Sequence, residues 1–223
     1  MNAAAAVTWD WHFAGQILPK LLPGLLITVE ATMIGSAIAM VLGLLLAIGR
    51  RSPRLWVSLP IGAAIEFIRS TPLLIQLYFL FFVLPDAGLT LAPLVAGVIG
   101  LGLHYATYTS ETYRAGIEGV PRGQWEAARA LNLSARRTWV GVVLPQAIPA
   151  VLPPLGNYVN AMFKDSVLLS TITVLELLGK AEDIGAQYYK FLEPYTEVGL
   201  LFLLVSYPAS LAVRRLEKRL ARK

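Results

Sequence analysis

The 223-residue chain is 56% hydrophobic and only 15% charged, with a mean hydropathy of +0.61, a composition that excludes an ordinary soluble domain and fits an integral membrane protein. It contains no cysteine, which excludes disulfides, thiol catalysis and cysteine-based metal sites. The net charge of +5 and pI near 9.6 raise a nucleic-acid partner, a reading that the placement of the charges decides.

The opening MNAAAAVTWDWHF has neither the positive region nor the compact apolar core of a cleaved signal, so the first span is expected to be its own insertion signal. Trp9, Trp11 and Phe13 precede the first apolar run, where amphipathic rings settle at headgroup level. That run, Leu25 to Ile48, reaches roughly 36 Å as a helix, enough to cross a bilayer with some tilt. Gly35, Ser36, Ala37, Ala39 and Gly43 give it a small-residue face for close helix packing. A second apolar stretch, Leu55 to Leu84, is interrupted in EFIRSTPLLIQ. It reads as a lead-in helix to Ser70, a break at Thr71-Pro72, and a second half that completes the crossing. After a loop from Pro85 to Thr90, a third span runs from Leu91 to Thr112 and carries His104.

Between this span and the next lies a polar island, Gly119 to Pro145. Gln124 to Leu131 is dense in helix formers, with Trp125, Ala128 and Leu131 spaced by three, so a short helix is expected. Asn132 follows where the helix needs a left-handed stop. A solvated loop would read similarly, but a connection with its own helical pattern also suits docking. The fourth span, Val140 to Phe163, holds Pro145, Pro149, Pro153 and Pro154 and is expected to be kinked or broken. The run VLLSTITVLELL is too short to cross and reads as re-entrant or interfacial. A fifth span, Pro194 to Val213, ends in a basic tail. The expected fold is thus an all-α, polytopic membrane protein with five transmembrane helices in one domain over residues 1–223.

Charge placement tests this topology. Of 19 Lys and Arg, Arg50, Arg51 and Arg54 follow span one. Arg114, Arg122, Arg129, Arg136 and Arg137 flank or occupy the polar island, and Arg214, Arg215, Lys218, Arg219, Arg222 and Lys223 form the tail. With five crossings all of these share one side, which the positive-inside rule makes cytoplasmic. The N-terminal segment 1–20 is then external and the tail 214–223 cytoplasmic. The basic charge is topological, so no nucleic-acid partner is expected.

The two histidines lie far apart and in no metal-binding spacing, and no GxxxxGK[ST] loop is present. If ATP is used, another chain binds it. Ionisable side chains at membrane depth normally face protein, a pore or a partner charge. Glu66 with Arg69, and Glu111 with Arg114, are three apart on one helix and can neutralise each other, whereas the adjacent Lys164 and Asp165 cannot share a face. Each is a lock between helices, a snorkelling end or part of a substrate path. Tyr105, Tyr108, Thr109 and Thr112 either line a cavity or pack, and His104 either packs or relays protons.

The polar island resembles the cytoplasmic loop of the membrane subunits of bacterial ABC importers. That pattern is EAA, three residues, Gly, nine residues, Ile, any residue, Leu-Pro. Here it reads Glu126-Ala127-Ala128, Asn132, Val142, Leu144-Pro145, with Asn and Val as the two departures. RSTPLLIQLYFLFFVLP, ETYRAGIEGVPRGQWEAA and KDSVLLSTITVLEL are similar to the polar amino-acid branch, the histidine, glutamine and arginine type. The WDWHF opening is similar to permeases of ectoine and hydroxyectoine importers. The resemblance implies a type I ABC importer permease fold in the bacterial inner membrane. It implies that loop 119–139 couples to a dimer of ABC ATPase subunits, with Gly123, Gln124, Glu126, Ala127, Ala128 and Asn132 at the contact. ATP and Mg would be bound by that ATPase and no cofactor by this chain. A second permease, a sister subunit or another copy, would complete the path, and an external solute-binding protein would deliver an amino acid or a compatible solute such as ectoine. Two other classes stay open on the residues alone: an ATP-independent secondary transporter or channel subunit, and a membrane enzyme or scaffold. Against the first, no inverted internal repeat is visible; against the enzyme, no catalytic constellation is.

Overall fold

The computed structural model describes residues 8–220. Residues 1–7 of the N-terminal segment, and Arg222 and Lys223 of the tail, lie outside them. Helix α1 runs unbroken over Trp11–Arg50, 40 residues, so it begins well before the expected Leu25. The carboxylate of Asp10 starts it by accepting the Phe13 N–H at 3.0 Å. Gly15, Pro19, Lys20 and Pro23 interrupt the apolar pattern and hide this first third from a hydropathy reading. Pro19 and Pro23 sit on the exposed side, while Phe13, Ile17, Leu21 and Gly24 are buried. Packing on that inner face keeps the helix going.

Helix α2, Leu55–Arg69, and α3, Leu73–Tyr78, flank the expected break at Thr71-Pro72. A π-helical turn, Phe79–Val83, and a 3₁₀ turn, Leu84–Ala87, finish the second half. The two halves meet at 103°, so the expected break is a sharp elbow.

Helix α4, Pro93–Glu118, opens with proline in the first turn, where no N–H is needed. It is the centre of the bundle, with Gly97, Gly100, Leu101, Gly102, Tyr105, Ala106 and Thr109 buried. Its small face meets that of α1, where Gly35, Ser36, Ala39 and Gly43 are buried and Ala37 alone of the expected set faces out. The Thr109 hydroxyl donates to the Ala39 carbonyl at 2.7 Å, and a methyl on Gly43 would come within 2.8 Å of the Ala106 carbonyl oxygen. Such backbone proximity leaves room only for glycine.

The polar island forms α5, Arg122–Ala130, and α6, Ala135–Thr138, the latter capped by Ser134. A π-helical turn, Trp139–Val143, leads into α7, Leu144–Asp165. Of the kink or break expected in the fourth span, no break occurs within α7, and residues 135–172 form one span-length segment. Pro145 occupies the first turn of α7, and the irregularity is taken up by the π turn before it. A 3₁₀ segment, Ser166–Ile172, continues the helix from α7 and ends at Thr173 with φ +66°. Helix α8, Leu177–Tyr188, was not foreseen, and α9, Leu192–Leu220, extends the expected fifth span at both ends.

By length and composition three segments can cross a membrane, α1, residues 135–172 and α9, with the α2–α3 elbow as a fourth. Helix α4 has the length, 26 residues. Its glycines, threonines and tyrosines lower its apolarity because it is packed in protein rather than lipid. One core joins α1, α3, α4, α7 and the 3₁₀ segment around Leu77, Leu101, Met162 and Leu169. A second joins the start of α1 to α8 and α9 around Ile17, Leu21, Leu177 and Val198.

Candidate functional site

Helix α5 ends as its sequence requires. Asn132 takes φ +50°, the Asn132 N–H donates to the Arg129 carbonyl at 2.9 Å, and the Leu133 N–H reaches back to the Ala128 carbonyl at 3.0 Å. This pair of bonds is a Schellman closure, which an asparagine in the left-handed region supports in place of glycine. The two faces of α5 then separate. Ala128 is 2% exposed, and Trp125 stacks edge-on against Trp139 with centroids 5.5 Å apart. Trp125 and Trp139 pack on Val120, Val143 and Ala147, which pins the helix to the ends of α4 and α7. Gly123, Gln124, Glu126 and Ala127 face outward, and Leu131 is 72% exposed. Of the six expected contact residues, four thus lie on the free face, Asn132 closes the helix, and Ala128 is turned inward as an anchor. Leu131, spaced by three from Ala128 and so expected beside it, is instead exposed as the C-terminal cap.

Beside this loop the ends of α1 and α4 carry a network of four charges. Glu111 bonds Arg114, at 2.6 and 3.0 Å, as its spacing predicted. It also bonds Arg50 of α1, and Arg114 reaches Glu118 at 2.7 Å. Arg51 lies over the Trp139 ring, 5.9 Å from its centroid. Glu111 is therefore a lock between helices, and its partner Arg50, 61 positions away, was beyond any local spacing rule.

Deeper in the bundle, Tyr105 and Tyr108 of α4 meet Tyr158 of α7, with ring centroids 6.1 and 5.9 Å apart. His104 adjoins both α4 tyrosines. The Tyr105 hydroxyl donates to Asp165 at 2.6 Å, and Thr112 donates to the Tyr158 hydroxyl at 3.4 Å. Arg69 lies over the Tyr108 ring at 5.2 Å and only loosely beside the exposed Glu66, 3.8 Å away. The expected Glu66–Arg69 pair thus forms, long and solvent-screened, and the Tyr108 ring is a second partner for the cation. Lys164 is exposed and makes no ion pair among the described residues, while its neighbour Asp165 is held inward. The structure brings together Arg69, Tyr105, Tyr108 and Asp165, with Glu66 beside Arg69, while Glu111 belongs to the Arg50–Arg114 network and Lys164 has no ion pair among the described residues. Tyr158, which completes the cluster, carried no signal beyond being an aromatic on a proline-rich span.

Two further polar residues escaped the sequence reading. The Gln76 amide donates to the carbonyls of Ile68 at 2.7 Å and Thr71 at 3.0 Å, closing the elbow from within. The buried Glu176 caps α8 through the Leu178 and Gly179 N–H groups and accepts from Thr28 of α1 at 3.1 Å. Among the described residues no group of His, Cys, Asp or Glu is arranged to hold a metal.

The profile of the family described as the binding-protein-dependent transport system inner membrane component matches residues 39–222. The chain belongs to this family. The permease is 43% identical over 221 residues to a probable amino-acid ABC transporter permease, y4tG, of Sinorhizobium fredii (strain NBRC 101917 / NGR234), covering 97% of this chain and 96% of the relative. It is 34% identical to the L-cystine transport system permease TcyB of Bacillus subtilis (strain 168), covering 100% and 95%. To the glutamine transport system permease GlnP of Escherichia coli (strain K12) it is 33% identical, covering 95% and 98%. Among solved structures, that of an amino acid ABC transporter with histidines superposes with a TM-score of 0.91 at 32% identity, over 96% of this chain and 100% of that one. An inward-facing methionine transporter, MetNI, superposes with a TM-score of 0.74 at 20% identity, over 92% and 98%, a likeness of fold alone. The family expected from Glu126-Ala127-Ala128 and its downstream Leu144-Pro145 is borne out, as is a multi-pass inner-membrane protein of all-α ABC importer permease fold.

Proposed function

We propose that the permease is one half of the membrane path of an ATP-driven importer for an amino acid or a zwitterion of similar size. In this reading α1, the α2–α3 elbow, α4, α7 and α9 make five crossings, with the N-terminus outside and the tail in the cytoplasm. A second permease, a sister or another copy, faces it across the path. A dimer of ATPase subunits, which binds the ATP and Mg, docks on loop 119–139, and an external binding protein delivers the solute. The names of the relatives support amino acids; ectoine, a zwitterion of the same class, is supported by the WDWHF opening alone.

The observation that carries the reading is the division of α5 into an anchored and a free face. A short helix held by Trp125 and Ala128, closed at Asn132 and presenting Gly123, Gln124, Glu126, Ala127 and Leu131, suits a groove on a partner. Force applied there reaches α4 and α7 through Val120 and Val143, and α1 through Arg51 over Trp139. The tyrosines, Arg69 and Lys164 supply aromatic faces and cationic ends that suit a carboxylate-bearing ammonium compound in transit.

The test is reconstitution with an ABC ATPase and an external solute-binding protein that co-purify with the permease. Glu126→Arg and Ala127→Trp alter only the free face. Both are expected to leave the protein inserted and folded while abolishing uptake and solute-stimulated ATP hydrolysis. ATP-independent uptake by the permease alone, or wild-type uptake by both variants, would refute the proposal. A panel of amino acids and ectoine in the same assay assigns the solute.

A further inference from the structure

Helix α7 carries a feature that neither the tyrosine cluster nor the coupling loop uses. Its inner face, with Ala147, Val151, Leu155 and Met162, is buried, and one outer face exposes Ile148 and Leu152 as a lipid-facing helix would. A second outer face exposes Gln146, Ala150, Asn157 and Lys164. These positions fall at steps of four and seven, so they lie in one stripe along the axis. From Gln146 to Lys164 the stripe rises about 27 Å, close to the thickness of the hydrocarbon layer.

Lipid cannot cover such a stripe. Asn157 stands near its middle with no side-chain partner among the described residues, and Lys164 ends it without an ion pair. Exposed polar groups at this depth face water or protein. Proline adds to the polarity. Because Pro149, Pro153 and Pro154 have no N–H, the carbonyls of Pro145, Pro149 and Ala150 lack their usual helical donors. At one end of the stripe all three residues line a groove beside Gln146 that opens against Glu217 of α9, and their freed carbonyls there are acceptors in need of donors. Near its middle the stripe runs beside the tyrosine cluster, Tyr158 following Asn157 about 100° round the helix.

We infer that the Gln146–Ala150–Asn157–Lys164 face of α7 is the wet wall of the solute path. The solute passes from the tyrosine cluster down this face, and its N–H donors and accompanying water are met by the proline-freed carbonyls. The inference rests on the importer reading above, and its test separates the two. The chain has no cysteine, so single cysteines report without background. Gln146→Cys, Ala150→Cys and Asn157→Cys probe the stripe; Ile148→Cys and Leu152→Cys probe the apolar face. Each variant is first assayed for uptake in the reconstituted complex, which checks the importer reading by itself. A charged, water-soluble methanethiosulfonate is then applied, and labelling of this chain is read by mass. The stripe positions are expected to react about tenfold or more faster than the apolar pair, because thiolate and charged reagent both need water. Labelling at Ala150→Cys and Asn157→Cys is expected to slow when ATP and loaded binding protein put solute in transit. Equal rates on the two faces, or an unreactive stripe in complexes that still import, would overturn the inference in favour of a dry interface with the second permease.

Discussion

Replacing Asn132 separates backbone conformation from chemistry at the one irregular position of the loop. Its φ of +50° is open to glycine and tolerable for asparagine, whereas a β-branched residue there is a true outlier. The left-handed conformation costs an ordinary L-residue roughly 1–2 kcal/mol. In Asn132→Val that energy is set against the closing bonds from the Leu131, Asn132 and Leu133 N–H groups, at 3.0, 2.9 and 3.0 Å. A destabilisation of 1–2 kcal/mol multiplies the population of the opened end by roughly 5–30. Amide hydrogen exchange of the permease in nanodiscs, without the ATPase so that docking cannot mask the effect, reads this directly. The valine variant is expected to speed exchange over residues 131–133 by that factor, and Asn132→Gly to stay near wild type. Uptake by the assembled complex should fall in the same order. Wild-type protection in the valine variant, or equal acceleration by glycine and valine, would refute the argument from backbone conformation.

The elbow and the bundle centre are open to similar tests. Gln76→Leu leaves the Ile68 and Thr71 carbonyls without their donor. At about 1–3 kcal/mol for a half-buried polar loss, the thermal midpoint should fall by roughly 2–12 °C, as followed by size-exclusion chromatography after heating. Tyr105→Phe removes the donor to Asp165, a charge-assisted bond of about 1.5–3 kcal/mol; uptake should drop while the protein still assembles with the ATPase. At the start of α1 the bonded Lys190 ammonium holds the Asp10 carboxyl below its ordinary 3.8, and Asp10 in turn pushes the Lys190 pKa up. A depressed carboxyl stabilises above its unfolded value and loses that contribution as pH falls through the folded one. Corrected amide protection at Phe13, whose N–H Asp10 accepts, should therefore hold from pH 7 to 5 and decline only below pH 3.8. Decline between pH 6 and 5 would exclude Asp10 as the group responsible.

What was legible in the sequence was local. Pro72 announced the elbow, Asn132 the left-handed stop, and Gly35, Ser36, Ala39 and Gly43 a close helix contact, because each acts through its own backbone or its own face. What was hidden depended on distant partners. Arg50 looked like a positive-inside charge and also proves to be half of a lock with Glu111. Pro19 and Pro23 looked like the edge of a span and lie inside α1, since packing on α8 outweighs the lost hydrogen bonds. Helix α8 was missed because KAEDIGAQYY is too polar to read as membrane. Its amphipathic face has meaning only against α1 and α9. The docking loop split the same way, with Glu126 and Ala127 readable from spacing and the inward turn of Ala128 visible only in three dimensions.

The contact between Thr28 and Glu176 bears on how the chain is made. Leu177 donates its N–H to the Thr28 hydroxyl at 3.1 Å, and a methyl on Gly24 would come within 2.9 Å of the Glu176 carbonyl oxygen. The residues of this joint are 148 positions apart. At a synthesis rate of about 5–20 residues per second, roughly 7–30 s separate the emergence of its two sides. Through that interval Thr28 and the bare backbone at Gly24 await their partner. Helix α1 is completed only when α8 has been made, and a nascent chain stalled before Glu176 presents an unclosed seam to a membrane protease.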